Sequence, residues 1–192
     1  MNSPKPIGSK TVMFLATAML LLTYAPANAD QTDPKLDKLF TALQTSLSNA
    51  NAASLEREIW AIWTRYPDDQ AINRRMDRAI KMMNAGRLDD ADAMFSAIIS
   101  RKPAFAEAWN KRATVRFFRG DDAGSANDIL QVIKLEPRHF GALSGLGMIK
   151  VHAGDLQGAL QAYRAAQRIN PFLPNIEMII DKLGQKLNGR GI

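Results

Sequence analysis

The 192-residue chain contains no cysteine. That one absence removes disulfides, thiolate metal sites and the acylated thiol of a lipoprotein anchor. Histidine is almost missing as well. His139 and His152 are the two present, and their 13-residue separation does not place them as metal ligands on one helix face. No nucleophile stands in a recognisable setting. Gly141-Ala142-Leu143-Ser144-Gly145 has one residue too many before the serine for a Gly-x-Ser-x-Gly elbow. Gly145 and Gly147 fall inside a helical stretch rather than after a strand, so no phosphate loop is implied. The expectation is a protein without catalytic activity, metal or cofactor.

Hydrophobic runs are short. Thr11 to Ala25 is almost wholly apolar, yet it falls below the roughly 20 residues needed to cross a bilayer. It follows Met1 to Lys10, which carries Lys5 and Lys10 and no acid, and precedes the small-residue triplet Ala27-Asn28-Ala29. Basic start, apolar centre and small-residue site form a secretory signal peptide over residues 1–29, with cleavage after Ala29 and Asp30 first in the exported chain. The expected location is the bacterial periplasm, with no transmembrane segment after cleavage. Export disfavours nucleic acid as a partner. Loss of two lysines lowers the formal charge from +6 to +4. Such a surplus favours acidic partners or anionic surfaces by steering, and it also suits a plain solvated surface.

What the chain does have is a beat. Pro103, Pro137 and Pro171 stand 34 residues apart, and Gly86, Gly120 and Gly154 keep the same interval. Phe95, Ile129 and Tyr163 are in phase, as are Ala91, Ser125 and Ala159. A fixed period of this length announces stacked supersecondary units. Each unit reads as two helices: in the middle one, Ala106 to Arg119, a break at Gly120, then Asp122 to Leu135 closed by Pro137. The acids after the glycines (Asp89, Asp90, Asp121, Asp122 and Asp155) recur at helix starts, where they cap the helix and meet its dipole rather than act as a catalytic pair. The stripe Leu88, Ala91, Phe95, Ile98 matches Leu156, Ala159, Tyr163, Ala166, and only a neighbouring unit can bury it. Small residues such as Ala91, Ala159 and Gly147 let the helices approach closely.

These residues resemble the tetratricopeptide repeat, whose signature has an aromatic, a Leu-Gly pair and a Tyr on the first helix, then Ala-x-x-x-Phe and a closing proline. Leu146-Gly147, Ala159, Tyr163 and Pro171 carry the match in the third unit, with Leu143 in the aromatic's place. The middle unit offers Trp109 and Pro137 but departs at Ser125 and Ile129. The first recovers at Ala91, Phe95 and Pro103 after Arg75 and Arg78 take apolar positions. The resemblance implies an all-α, right-handed α-solenoid of stacked antiparallel helix pairs with a terminal capping helix. Its three repeats occupy about 72–105, 106–139 and 140–173, within residues 69–173. Residues 30–68 form a further helix pair, a degenerate repeat or an N-terminal cap. Residues 174–192 hold a capping helix, using Ile176, Ile179, Ile180 and Leu183, and a frayed tail. The run Leu39-Phe40 to Leu43 with Glu58-Ile59-Trp60 and Trp63 also resembles small exported repeat proteins of alphaproteobacteria.

In this family the first helix of each pair lines a concave groove that holds a partner's peptide or helix. Register carries the groove positions onto Asn73, Met76, Ile80, Met83 and Asn84 in the first unit. The second gives Glu107, Asn110, Thr114, Phe117 and Phe118, and the third gives Ser144, Met148, Val151 and His152. The same apolar groups also read as core, packed on the N-terminal helices or the closing helix, and the sequence leaves both readings open. The lysine, arginine and asparagine clamp by which some relatives grip a terminal carboxylate is absent: its positions hold Met76, Ile80, Lys111, Gly141 and Gly145. A basic ladder runs over Arg74, Arg75, Arg78 and Lys81, then Lys111, Arg112, Arg116 and Arg119. It reads either as a face for an acidic or anionic envelope partner or as a solvated surface balanced by aspartates. The expected role is a non-enzymatic scaffold or adaptor for an unidentified protein or peptide. The alternatives are a module docking on anionic lipid or cell-wall polymer through its basic face, and an accessory subunit of a larger envelope assembly.

Overall fold

The computed structural model describes residues 30–189. The signal-peptide reading of residues 1–29 and the last three residues of the tail lie outside the described residues. A short 3-10 turn at Asp30–Thr32 leads into helices α1 (Lys35–Gln44), α2 (Asn49–Trp63), α3 (Gln70–Asn84), α4 (Leu88–Arg101) and α5 (Ala106–Phe118). After them come α6 (Asp122–Leu135), α7 (Phe140–His152), α8 (Leu156–Ile169) and α9 (Ile176–Leu187). No strand occurs among the described residues.

The helix boundaries follow from the periodic residues. Gly86, Gly120 and Gly154 take φ of +72°, +79° and +75°, the left-handed exit that costs a side-chain-bearing residue about 1–2 kcal/mol. Asp121 and Asp155 then cap α6 and α8, each carboxylate accepting a backbone N–H at 2.8 Å, from Gly124 and Gly158. The capping expectation does not extend to Asp89 and Asp90. Arg87 occupies the cap position of α4, so these carboxylates lie within its first turn, where they meet the helix dipole and pair with Arg119 and Arg87.

The pairs α3–α4, α5–α6 and α7–α8 stack in chain order, and α9 packs on α8. Phe95, Ile129 and Tyr163 are all buried, as are Ala91, Ser125 and Ala159. Ser125 fits the alanine position because its hydroxyl donates to the Ala113 carbonyl at 2.8 Å, which removes the penalty of a bare buried hydroxyl. Gly147 is required by contact rather than conformation: a Cβ there would stand 2.7–2.8 Å from the Tyr163 ring. The result is an all-α solenoid of stacked helix pairs.

The pair α1–α2 does not sit as a stacked repeat or an end cap. It folds back along the turns that join the repeats. Gln31 Nε2 donates to the Ala104 carbonyl at 2.6 Å in the first turn. Arg138 in the second turn meets Asp37 at 2.6 Å. In the third, Gln44 Nε2 donates to the Arg168 carbonyl at 3.2 Å and Asn170 Nδ2 to Glu56 at 3.1 Å. Beneath these polar ties Leu36, Phe40, Leu43, Ala52, Ile59 and Trp63 are buried in one cluster with Phe140 of α7. Each large side chain so buried contributes about 1.5–3 kcal/mol, so the pair is firmly seated.

Candidate functional site

Two different surfaces divide the face lined by α3, α5 and α7. The first lies at the N-terminal ends of α5 and α7 and is covered by α2. The Trp63 ring stacks on His139 with centroids 4.2 Å apart and planes 9° from parallel. Trp60 meets His139 and Phe140 edge-on, and the Lys111 ammonium stands 5.2 Å from its ring centre. Gly141 makes this possible: a Cβ there would fall 2.7 Å from the edge of the Trp60 ring. Lys111 and Gly141 are two of the positions where a carboxylate clamp would stand, and Trp60 occupies their surface.

Under the tryptophans lies a fully buried Glu107–His139 pair. His139 Nδ1 accepts the Ala142 N–H at 3.1 Å, capping α7. That contact places the proton of the neutral ring on Nε2, which donates to Glu107 Oε2 at 2.9 Å. Asn110 Nδ2 donates to the same oxygen, also at 2.9 Å, and Lys111 Nζ lies 3.0 Å from Oε1 as an ion pair. Burial by itself pushes the Glu107 carboxyl up; Lys111 and His139 outweigh it and hold it below its ordinary 4.5. Glu107 Oε2 and both ring nitrogens of His139 have partners within the chain, while the Trp63 Nε1–H beside them is buried without one; the cluster forms the seat of α2.

The second surface lies at the C-terminal ends of α5 and α7 and is open. Phe118 is 64% exposed, Met148 46% and Val151 42%. Phe117, Met148, Val151 and Tyr163 form one side of an apolar cleft of about 370 Å³, and Ile179, Lys182, Leu183 and Lys186 of α9 form the other. A narrower hollow of about 80 Å³ runs on from it between α5 and α7, past Thr114 and Gly145. Burial raises the Tyr163 phenol above its usual value. The closing helix walls this cleft without filling it.

The groove positions read from register therefore separate. Phe117, Met148 and Val151 come together at the open cleft, and Thr114 and Phe118 line its narrower continuation. Met76, Glu107 and Asn110 are buried, and Ile80 and Met83 pack against the core of the first repeat. Asn73 is held by the Tyr66 backbone, accepting its N–H at 2.7 Å and donating to its carbonyl at 2.9 Å. Asn84 is exposed at the end of α3, Ser144 is half-buried on α7, and His152 is exposed and paired with Asp122.

The basic ladder also divides. Arg112 grips Asp128 through two hydrogen bonds of 2.8 and 2.7 Å. Arg116 reaches Asp92 and Asp128, and Arg119 reaches Asp89 and Asp92. With Lys111 on Glu107, every cation of the α5 half has an acidic partner, the Arg119–Asp89 pair at the surface. On α3, Arg74, Arg75, Arg78 and Lys81 are exposed and make no ion pair among the described residues. Arg75 and Arg78 stand where an internal repeat carries apolar stacking residues, and no earlier pair covers them.

Sequence reasoning does not reach Trp60 as a cover or Lys182 and Lys186 as a wall. The apolar stripe of α2 was legible, but nothing in a linear pattern says which surface it meets. The one available signal was glycine at 141 beside a histidine, where a clamp side chain is missing.

A stack of helix pairs with one face divided in this way defines a helical-repeat protein. The tetratricopeptide-repeat family model matches residues 111–174. A TPR repeat-containing protein of Rhizobium etli is 35% identical over 155 residues, spanning 81% of this chain and 76% of its own length. The chain belongs to the tetratricopeptide-repeat proteins. Among solved structures, the first repeat domain of Spaghetti (RPAP3) bound to an HSP90 peptide superposes with a TM-score of 0.60 at 19% identity, covering 63% of this chain and 96% of that one. The Yersinia enterocolitica type III secretion chaperone SycD, in complex with a peptide of the translocator YopD, gives 0.59 at 12% identity, covering 62% and 97%. At these identities the likeness is one of fold.

Proposed function

We propose that this protein is a non-enzymatic scaffold or adaptor of the bacterial periplasm that holds a segment of a partner protein in the open cleft between α5, α7 and α9. The observation that carries the reading is the cluster of Phe118, Met148 and Val151, exposed together beside an apolar hollow while the N-terminal ends of α5 and α7 are covered by α2. Adaptable methionine and aromatic surface of this kind suits protein contacts, and the two structural neighbours named above were each solved with a peptide. A photoreactive residue at position 118 in living cells, with mass spectrometry of the trapped species, tests it. One abundant protein, lost in a Met148→Glu background, is the expected result. Trapping nothing, or only this chain's own α9, refutes it. Fractionation of the same cells checks the compartment.

A second reading has its own observation. The four cations on α3 lack internal partners, unlike those on α5, and they suit docking on an anionic lipid or cell-wall polymer. Salt separates the two modes, since screening releases an electrostatic contact and leaves an apolar one in place.

A further inference from the structure

We infer that the occupant of the open cleft is an amphipathic α-helix with acidic residues along one flank, and not an extended peptide; the inference rests on the scaffold reading above. The argument starts from hydrogen bonding. An extended segment brings one N–H and one C=O per residue, and a surface that buries it must supply partners. This cleft supplies almost none. Its apolar members include Phe117, Met148, Val151 and Leu183, and its polar groups are the Tyr163 hydroxyl and two lysine ammoniums. The backbone of the lining helices is engaged within those helices.

Side chains further along the face are engaged too. Thr114 Oγ1 donates to the Asn110 carbonyl at 3.0 Å, the Asn110 amide donates to Glu107, and Asn73 closes on Tyr66. These are the residues that would otherwise pair with a ligand backbone. Each backbone group buried without a partner costs roughly tenfold in affinity, so an extended segment is rejected several times over. A helix satisfies its own backbone and offers apolar side chains at i, i+3 and i+4. A cleft of about 370 Å³ receives those side chains while the helix body lies above it.

Charge sets the flank. Lys182 and Lys186 stand one turn apart on α9, exposed and without an acidic partner among the described residues. Cations on the other sides have acidic partners: Arg119 with Asp89 and Asp92, and Lys150 with Asp155. Among the residues that line the cleft, unpaired positive charge therefore lies on the α9 wall, and the complementary helix carries its acids on that side.

Two displayed libraries of equal diversity test this against the full exported chain: one helix-locked by a staple and randomised on one face, the other held extended by alternating prolines. Binders are counted only if lost on both Phe118→Asp and Met148→Glu variants that keep the wild-type helical signal. The expected result is binders from the helical library, enriched in Asp and Glu on one flank. They should weaken roughly tenfold at low salt on Lys182→Glu with Lys186→Glu. Cleft-dependent binders from the extended library, alone or in equal number, overturn the helix inference and leave the scaffold reading intact. No cleft-dependent binder from either overturns both. Basic or neutral flanks, or indifference to the lysine changes, overturn the acidic flank.

Discussion

Removing the Glu107 carboxylate is expected to cost more than any single change on the molecule's surface, and the structure sets the amount. In Glu107→Ala the His139 Nε2–H is left buried without an acceptor, a loss of about 1–3 kcal/mol. Asn110 Nδ2 loses the same acceptor, and the deleted methylene and carboxylate leave a cavity beneath Trp63. Lys111 is less affected, because it is only partly buried and can turn toward water. The total falls at about 3–5 kcal/mol, the combined cost of two orphaned donors and the cavity. That is a fall in Tm of roughly 6–20 °C for a chain of this size. Glu107→Gln keeps an amide oxygen for His139 and Asn110 but turns an NH2 donor toward Lys111, which can swing to water, so about 1–2 kcal/mol is expected.

The difference between wild type and Glu107→Gln should depend on pH in one direction. The folded-state value lies below the ordinary 4.5, so the ionised carboxylate contributes fully above about pH 4.5. That contribution is lost as pH falls through the depressed folded value, where the protonated acid comes to resemble the amide. Urea unfolding followed by tryptophan emission reads this directly, since Trp60 and Trp63 lie over the cluster. An alanine cost below about 1 kcal/mol, or a wild type–glutamine gap that stays constant into acid, refutes the account of a sealed ionic seat.

Asp128→Ala should behave in the same class, because one buried carboxylate holds both Arg112 and Arg116; a loss of about 3–5 kcal/mol in urea unfolding is expected, and near-neutrality would return the α5 arginines to a free basic face. Arg74→Glu with Arg78→Glu should leave stability within about 0.5 kcal/mol and reduce sedimentation with vesicles containing anionic lipid, if α3 docks on such a surface; unchanged sedimentation removes that mode. Gly154→Ala, with open space around its Cβ but φ of +75°, should cost about 1–2 kcal/mol by thermal melting, and a neutral result contradicts a strict left-handed exit there. Gly141→Leu should unseat Trp60, shifting tryptophan emission to the red while the helical signal of α3 to α9 persists; an unshifted spectrum contradicts the close contact.

The solenoid was legible because its information is local and repeated. Gly120 ends a helix by backbone geometry, Asp121 starts the next by capping, and Ala159 with Tyr163 marks the buried stripe; each needs only its own neighbours. The sealing of the face was not legible, because it depends on contacts between residues far apart in the chain, such as Asp37 with Arg138 and Trp63 with His139. Periodicity reports that α2 has an apolar side, and nothing about its destination. The consequence is mechanical as well as spatial. A simple stack couples each unit only to the next, whereas the 3-10 turn at Asp30–Thr32 and the pair α1–α2 together tie the turns at Ala104, Arg138 and Asn170, so fraying of one repeat must break contacts at another. The same tie explains why clamp-position arguments failed to find a ligand site. Lys111 and Gly141 lack clamp function because they form the floor for Trp60, and the face stays open at the end where α9, rather than α2, supplies the wall.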